Sequence, residues 1–391
     1  MKKKKKEKKI LYQLIFSAFL LFSNAYLVKA NSDILSQDST GKYCINTEQD
    51  YYNFIENIQN YNNKTVILCN DIDISDVPEA TSSFGGILNG KGHTITYASK
   101  EAKENIAVFP FRINDNGIVE NINVQIDESY AYNSETDEFQ TVFSRCDGIA
   151  KGITIKGNVT CIYDDEDTDV YIGAIEGNGT LMDSSIAITY DLQSEKTIEE
   201  IADDIVDNDL SFEFCQLGTI NTGITYQNCI GYGQYSEAIK SLADELEPKI
   251  KDNTWGYLCV SFTRKSFFST SASATNCYYD KENMPDIKIM SEYITNRDNN
   301  KEFPNYADFG KTTSEMKNQG TYEGFDFNKK WTISPEDNNG YPYYNPQTEE
   351  ITLKVQASTE PKVWSTSVPR DYNRFVDYAK NYHFPYQVDI I

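Results

Sequence analysis

Apolar residues recur in short alternating runs through the middle of the chain, and the runs repeat. Three stretches align without a gap over their length: AVFPFRINDNGIVENINV (107–124), EFQTVFSRCDGIAKGITI (138–155) and DVYIGAIEGNGTLMDSSI (169–186). Each carries two short runs around a glycine, and Gly117, Gly148 and Gly179 are each 31 residues apart. Within the runs the apolar positions alternate, as at Ile118, Ile122 and Val124 or Ile149, Ile153 and Ile155, which is the pattern of a strand buried on one side. One such unit cannot bury its own apolar face, but stacked copies can, so the period predicts an all-β solenoid. A fourth copy, EFCQLGTINTGITYQNCI (213–230), places Gly223 a further 44 residues on, and a fifth runs from about Trp255 to Tyr279.

Departures from this period predict the other elements. SEKTIEEIADDIVDNDL (194–210) and YSEAIKSLADELEPKI (235–250) carry apolar residues three or four apart (Ile198, Ile201, Ile205; Ile239, Leu242, Leu246). They predict two amphipathic helical insertions side by side on one flank of the stack. TEQDYYNFIENIQNY (47–61) opens on Thr47 and an acidic first turn and predicts a capping helix over the first coil. The resulting division is 1–30 leader, 31–62 N-terminal cap, 63–283 repeats, 284–345 C-terminal cap with its aromatic cluster, and 346–391 tail.

FGGILNGKGHTITY (84–97) tests an alternative. Gly85, Gly90 and Lys91 have phosphate-loop spacing, but Gly92 and His93 follow where Ser or Thr is required, and the next residues predict a strand rather than a helix. The stretch reads as an early coil with glycine corners.

Lys2 to Lys6, Lys8 and Lys9 precede an apolar run from Ile10 to Leu27 ending in Val28-Lys29-Ala30, the form of a secretory signal peptide cleaved before Asn31. An uncleaved anchor is the alternative, and nothing after the leader is apolar enough to span a bilayer. The whole chain carries 36 basic and 59 acidic residues, a net charge of −23. Removing the leader with its eight Lys and one Glu leaves 28 and 58, a net charge of −30. Such a chain disfavours nucleic acid and anionic lipid as partners and favours divalent cations. All eight cysteines follow the leader. Cys215 with Cys259, and Cys229 with Cys277, are expected on adjacent coils, either as disulfides or as a buried thiol ladder.

The segment YCINTEQDYYNFIENIQNYNNKTVILCNDIDISD, then FGGILNGKGHTITY, then IAVFPFRINDNGIVENINV (43–124) resembles the opening of bacterial right-handed β-helical surface proteins with GLUG repeats. CYYD (277–280), GKTTSEMKNQGTYEGFDF and WTISPEDNNGYPYY are similar to the terminal segment of that group. The resemblance implies export, surface display and a role in adhesion or host contact, and it carries no catalytic residues.

Two acidic clusters are the candidate Ca²⁺ ligands. Asp71 and Asp73 share a strand face, and Asp164, Asp165 and Asp167 lie in DDEDTD. Neither fits an EF-hand loop or a calcium-binding nonapeptide, and a solvated acidic loop is the simpler reading. A glycan-cleaving β-helix would need paired carboxylates, or calcium with a basic residue such as Arg145, Arg264 or Lys265. No such pairing can be read from spacing, His93 has no partner in sequence, and no nucleophile motif occurs. The expectation is therefore a secreted or cell-surface binding protein for a glycan or host protein, without a required cofactor. The alternatives are a polysaccharide lyase or glycoside hydrolase and a structural envelope component.

Overall fold

The structure is a computed structural model that describes residues 35–366, apart from 76, 79, 81, 99–106, 133–139, 164–167, 219–222, 252–253, 262–272, 286, 292–308, 346–350 and 358–359. The leader, Asp164, Asp165 and Asp167 therefore lie outside the described residues. The chain divides into two units, one of residues 1–325 and 333–344 and the other of 326–332 and 345–391.

The first unit is mostly β. Its strands are β1 (Tyr43–Ile45), β2 (Thr65–Leu68), β3 (Ile72–Ile74), β4 (Ile87–Asn89), β5 (Thr94–Ala98), β6 (Phe109–Ile113), β7 (Ile118–Tyr132), β8 (Gln140–Cys146), β9 (Ile149–Tyr163), β10 (Val170–Gly177) and β11 (Thr180–Gln193). They continue with β12 (Ser211–Cys215), β13 (Thr225–Gly231), β14 (Gln234–Tyr235), β15 (Tyr257–Ser261), β16 (Ser273–Thr275), β17 (Tyr278–Asp280), β18 (Ile287–Ile289) and β19 (Gly310–Lys311). After β20 (Trp331–Thr332), which belongs to the second unit, β21 (Tyr343–Tyr344) returns to the first. The second unit also holds an antiparallel hairpin of β22 (Ile351–Ala357) and β23 (Glu360–Thr366).

The first five strands lie in one sheet, and from β6 to β13 successive strands alternate between two large sheets. One runs β1-β2-β4-β7-β9-β11-β13-β17-β19, and the other β6-β8-β10-β12-β15-β18. All pairings along these paths are parallel except that of β15 with β18. The architecture is parallel and solenoid-like, and alternation explains its core. Val124, Ile155 and Ile186 are in register on neighbouring strands and buried, as are Val119, Ala150 and Leu181. On the facing sheet Phe109 and Phe143 stack with centroids 4.3 Å apart.

The long strands β7, β9 and β11 bend once each, at Asn121, Gly152 and Asp183, whose φ values are 56°, 61° and 49°. Asn228 and Asn276 continue the row at 53° and 52°. Asn and Asp tolerate this left-handed conformation, and Gly has no Cβ to oppose it. Side chains bond along the row: Asn276 Nδ2 donates to Asn228 Oδ1 (3.3 Å), and Asn228 Nδ2 donates to Asp183 Oδ1 (3.0 Å). Gly152 is the rung without a side chain, and Asn121 Oδ1 is buried with no hydrogen-bond partner.

Helix α1 (Glu48–Glu56) is capped by Thr47 and buries Tyr51, Phe54 and Ile55 against the first coils. Helices α2 (Ile198–Asp207) and α3 (Glu237–Leu246) pack on each other and bury Ile201, Ile205, Ile239, Leu242 and Leu246. Lys249 Nζ links the pair, donating to Asp203 Oδ1 (2.6 Å) and to the Glu199 carbonyl (3.3 Å). A short helix α4 (Thr313–Met316) carries a capping box between Thr312 and Glu315.

The 44-residue step that matches Gly223 to Gly179 needs correction. Val170 pairs with Phe212, an offset of 42, whereas Thr180 pairs with Thr225, an offset of 45. The extra residues sit in the connections between strands, so each sheet absorbs its own number, and bulges in β6 and β10 shift the register further. The same effect moves the cysteines. Cys215 faces Ser261 and Cys259 faces Glu213, so the two thiols lie two positions out of register and both approach Ser261 Oγ (3.6 and 3.9 Å). Cys229 and Cys277 do follow in-register partners on β13 and its neighbours, and burial raises the Cys229 thiol well above its ordinary pKa, with Cys277 adding to the shift. All four are buried thiols outside any disulfide.

The disulfide present is Cys44–Cys69, with Cα atoms 5.8 Å apart and a sequence separation of 25. It ties β1 to the residue after β2, in parallel register.

Candidate glycan-binding groove

Beyond their bends, β7 and β9 carry outward-facing polar residues in register with β5. Thr94, Asn123, Thr154 and Ser185 form one row, and Thr96, Gln125, Lys156 and Ala187 form the next outward row. Parallel strands repeat about every 4.8 Å, so the first row sets hydroxyl and amide groups at a regular spacing, Thr94 and Asn123 half-buried and Thr154 and Ser185 buried. Ser185 Oγ bonds Thr154 Oγ1 at 3.3 Å, and Asn123 Nδ2 is held by the Gly92 carbonyl at 2.7 Å. These bonds fix the side chains before any ligand arrives.

The segment 333–344 folds back over this face. Tyr341 stacks on Tyr232 with centroids 4.4 Å apart and an interplanar angle of 10°. Asn338 exchanges hydrogen bonds with the Tyr232 hydroxyl (3.0 and 3.1 Å), and its Nδ2 also donates to the Tyr341 and Pro342 carbonyls. The Tyr341 hydroxyl donates to Asp280 Oδ2 (2.6 Å). Asp280 is fully buried and also accepts from Thr313 Oγ1 (2.8 Å), Asn283 Nδ2 (3.0 Å) and the backbone N–H groups of Glu282 and Asn283. One carboxylate thus gathers β17, the following turn, α4 and the returning segment. Burial pushes the Tyr232 and Tyr344 hydroxyls up to about 12, so both are neutral donors over the working range.

Where the strap ends, the Tyr344 ring occupies the space that a side chain at Gly152 would fill. Tyr343, next to it, borders a groove of about 320 Å³ lined by Thr94, Asn123, Val124, Gln125, Thr154, Lys156 and Tyr343. That volume sits at the lower end of the roughly 300–1,000 Å³ usual for small-molecule sites. Lys156 is half-buried, and burial lowers its ammonium pKa below the ordinary lysine value. The groove therefore combines hydroxyl and amide groups, one cation and one tyrosine.

The sequence-derived candidates fall beside this groove or elsewhere. Asp71 precedes β3, and its Oδ1 accepts from the Thr94 N–H (2.8 Å) and pairs with His93 Nδ1 (3.0 Å). The backbone N–H of Thr94 first, and His93 second, hold its pKa below the ordinary value. Asp71 thus clamps the turn into β5. Asp73 is exposed on β3, opposite Thr96. Among the described residues, no group of three or more His, Cys, Asp or Glu side chains is placed to hold a metal ion. Arg145 shares Asp147 with Arg112 on the neighbouring strand, a surface clamp between β6 and β8.

Sequence reasoning missed Lys156 because it looked for acidic clusters and catalytic bases. The available signal was register: counting 31 residues between copies places Lys156 opposite Gln125 and Ala187, with no carboxylate directly across. The returning segment had no such signal, because it pairs through rings and asparagines instead of a repeat.

No family model, no curated protein and no solved structure matches this chain.

Proposed function

We propose that this chain is an exported, right-handed parallel β-helical protein of the cell surface or medium that binds a glycan without cleaving it. The groove over β5, β7 and β9 carries the proposal. A row of hydroxyl and amide groups at strand spacing, pre-set by hydrogen bonds, suits a ligand rich in hydroxyls, and a tyrosine at its wall suits the apolar face of a sugar ring. The resemblance of residues 43–124 and 277–344 to GLUG-repeat surface proteins supports export and display, and so does the basic, apolar leader. A chain of net charge −23 has its own reason to avoid nucleic acid and anionic lipid surfaces.

The test is a glycan array probed with the purified exported chain, with and without Ca²⁺, followed by product analysis of the bound glycans. Saturable binding without shortened products is expected, weakened at least tenfold by Thr154→Val or Tyr343→Ala. Unsaturated or shortened products would overturn the proposal in favour of a lyase or hydrolase, and absence of any saturable binding would leave a structural role.

A further inference from the structure

We infer that the groove recognises a saccharide bearing one isolated anionic group, a carboxylate or a sulfate, and that the Lys156 ammonium is the group that reads it. This rests on the glycan-binding reading of the same groove.

Several other cations among the described residues pair with carboxylates or lie over rings. On the same strand Lys151 pairs with Glu120 (2.8 Å), and Lys196 pairs with Asp204 (2.8 Å). Lys249 bridges Asp203 and Glu245, and Arg112 and Arg145 share Asp147. Lys64 lies over Tyr43, and Lys317 over Tyr341. Lys156 differs. Its in-register neighbours are Gln125 and Ala187, and no ion pair joins it to a carboxylate among the described residues. Burial is the sole cause of the shift in its pKa, which means that no nearby charge offsets the desolvation of the ammonium.

A half-buried cation left uncompensated in a strongly acidic chain is costly unless something else supplies the charge. An anionic group on a bound ligand would do so. It would gain a charge-assisted hydrogen bond from a partly desolvated donor, which is stronger than a neutral one. The neighbouring Thr154, Asn123 and Gln125 would meet the hydroxyls of the same sugar.

The overall charge narrows the ligand class. A dense polyanion would feel the whole acidic surface as it approached. A saccharide with one charge feels mainly what lies within the screening length of about 8 Å at physiological salt; Lys156 is the charged side chain lining the groove, and the nearby Asp71 carboxylate is engaged by the Thr94 N–H and His93. The volume of about 320 Å³ likewise fits a short terminal element better than a long chain.

The experiment is calorimetric titration of the purified chain with sialyllactose, galactose 6-sulfate and, as the neutral control, lactose. The charged probes are expected to bind about tenfold more tightly than lactose or better, in line with a hydrogen bond to a charged group. Lys156→Met, which keeps the aliphatic stem, should remove that preference, and Lys156→Arg should restore it. Preference for sialyllactose alone assigns the anion as a carboxylate, and preference for the sulfated sugar alone assigns it as a sulfate. Equal binding of all three, abolished by Tyr343→Ala, would overturn the charge inference and keep the glycan reading. Binding of none would overturn both, as would a charge preference that survives in Lys156→Met and in the doubly changed Lys156→Met/Tyr343→Ala chain, because the site would then lie elsewhere.

Discussion

Replacing Gly152 by alanine probes the joint between the solenoid-like stack and the strap that walls the groove. Gly152 sits at φ 61°, and a Cβ there would clash with Tyr344 Cε1 and lie 2.7 Å from its Cζ. Two costs follow. Holding an L-residue in the left-handed region costs about 1–2 kcal/mol, and crowding a packed ring costs about 1–3 kcal/mol unless the ring leaves. The Tyr344 ring is a side chain at the end of a short strand, so it is the partner that moves. Gly152→Ala should therefore lower stability by about 2–4 kcal/mol in the native chain and by only about 1–2 kcal/mol once Tyr344→Ala has emptied the space. Urea unfolding of the four chains of this double-mutant cycle measures the coupling, expected at about 1–2 kcal/mol and well above the roughly 0.3–0.5 kcal/mol scatter of independent sites. Because Tyr343 adjoins Tyr344, Gly152→Ala should also weaken glycan binding in the groove. Gly152→Asn refines the test, since Asn tolerates the backbone and so retains mainly the steric cost. Equal costs of Gly152→Ala in both backgrounds would refute the docking of Tyr344 on this rung.

Three further outcomes follow from the same geometry. Cys44→Ser or Cys69→Ser should destabilise the chain by about 3.5 kcal/mol, the loop-closure value for 25 residues, and a reductant should shift the urea midpoint of the native chain but not of either variant. Asp280→Asn places an amide donor against the Tyr341 and Thr313 hydroxyls and should cost about 2–4 kcal/mol; limited proteolysis should then cut between residues 311 and 344 faster than in the native chain, and unchanged cleavage would refute the role of Asp280 in holding the strap. Burial alone would raise the Asp147 carboxyl, but Arg145 and Arg112 hold it below the ordinary value. Its stabilising contribution is accordingly present above the unfolded pKa of about 3.9 and lost as pH falls through the lower folded value, so Asp147→Asn should flatten the acid limb of the unfolding curve below about pH 4 and leave its slope near pH 7 unchanged.

The strand pattern was legible because alternation and stacking are local consequences of one-sided burial. Ile122 and Val124 announce the strand and the face it buries, but Ile118 is only half-buried and Val119 takes the core position, because left-handed Asn121 shifts the alternation; the apolar stripes of 198–205 and 239–246 announce helices. Register across an insertion was not legible. The helices and loops between β11 and β15 add different lengths to the two sheets, and no single spacing places both Cys215 against Ser261 and Thr180 against Thr225. The Cys44–Cys69 bridge escaped for a related reason, since it joins β1 to the residue after β2, short strands that precede the clear repeat. His93 and Asp71 meet because β3 and β5 pair, a fact that depends on two separate turns and not on the distance along the chain.

The position of the groove is itself explained by the row of left-handed residues. Asp183, Asn228 and Asn276 bond along the stack and so present a closed edge. At Gly152 the row has no side chain, and a planar ring can lie against the backbone there as it can at no neighbouring rung. The returning segment is held first by Asp280 and Tyr232, and its reach ends where Tyr344 finds that gap. Tyr343 is thereby set over the Thr94, Asn123 and Thr154 row, next to Lys156. A single missing Cβ thus decides which coils of an otherwise repetitive surface gain a wall. That is why, among the described residues, the polar row, the cation and the ring coincide over β5, β7 and β9.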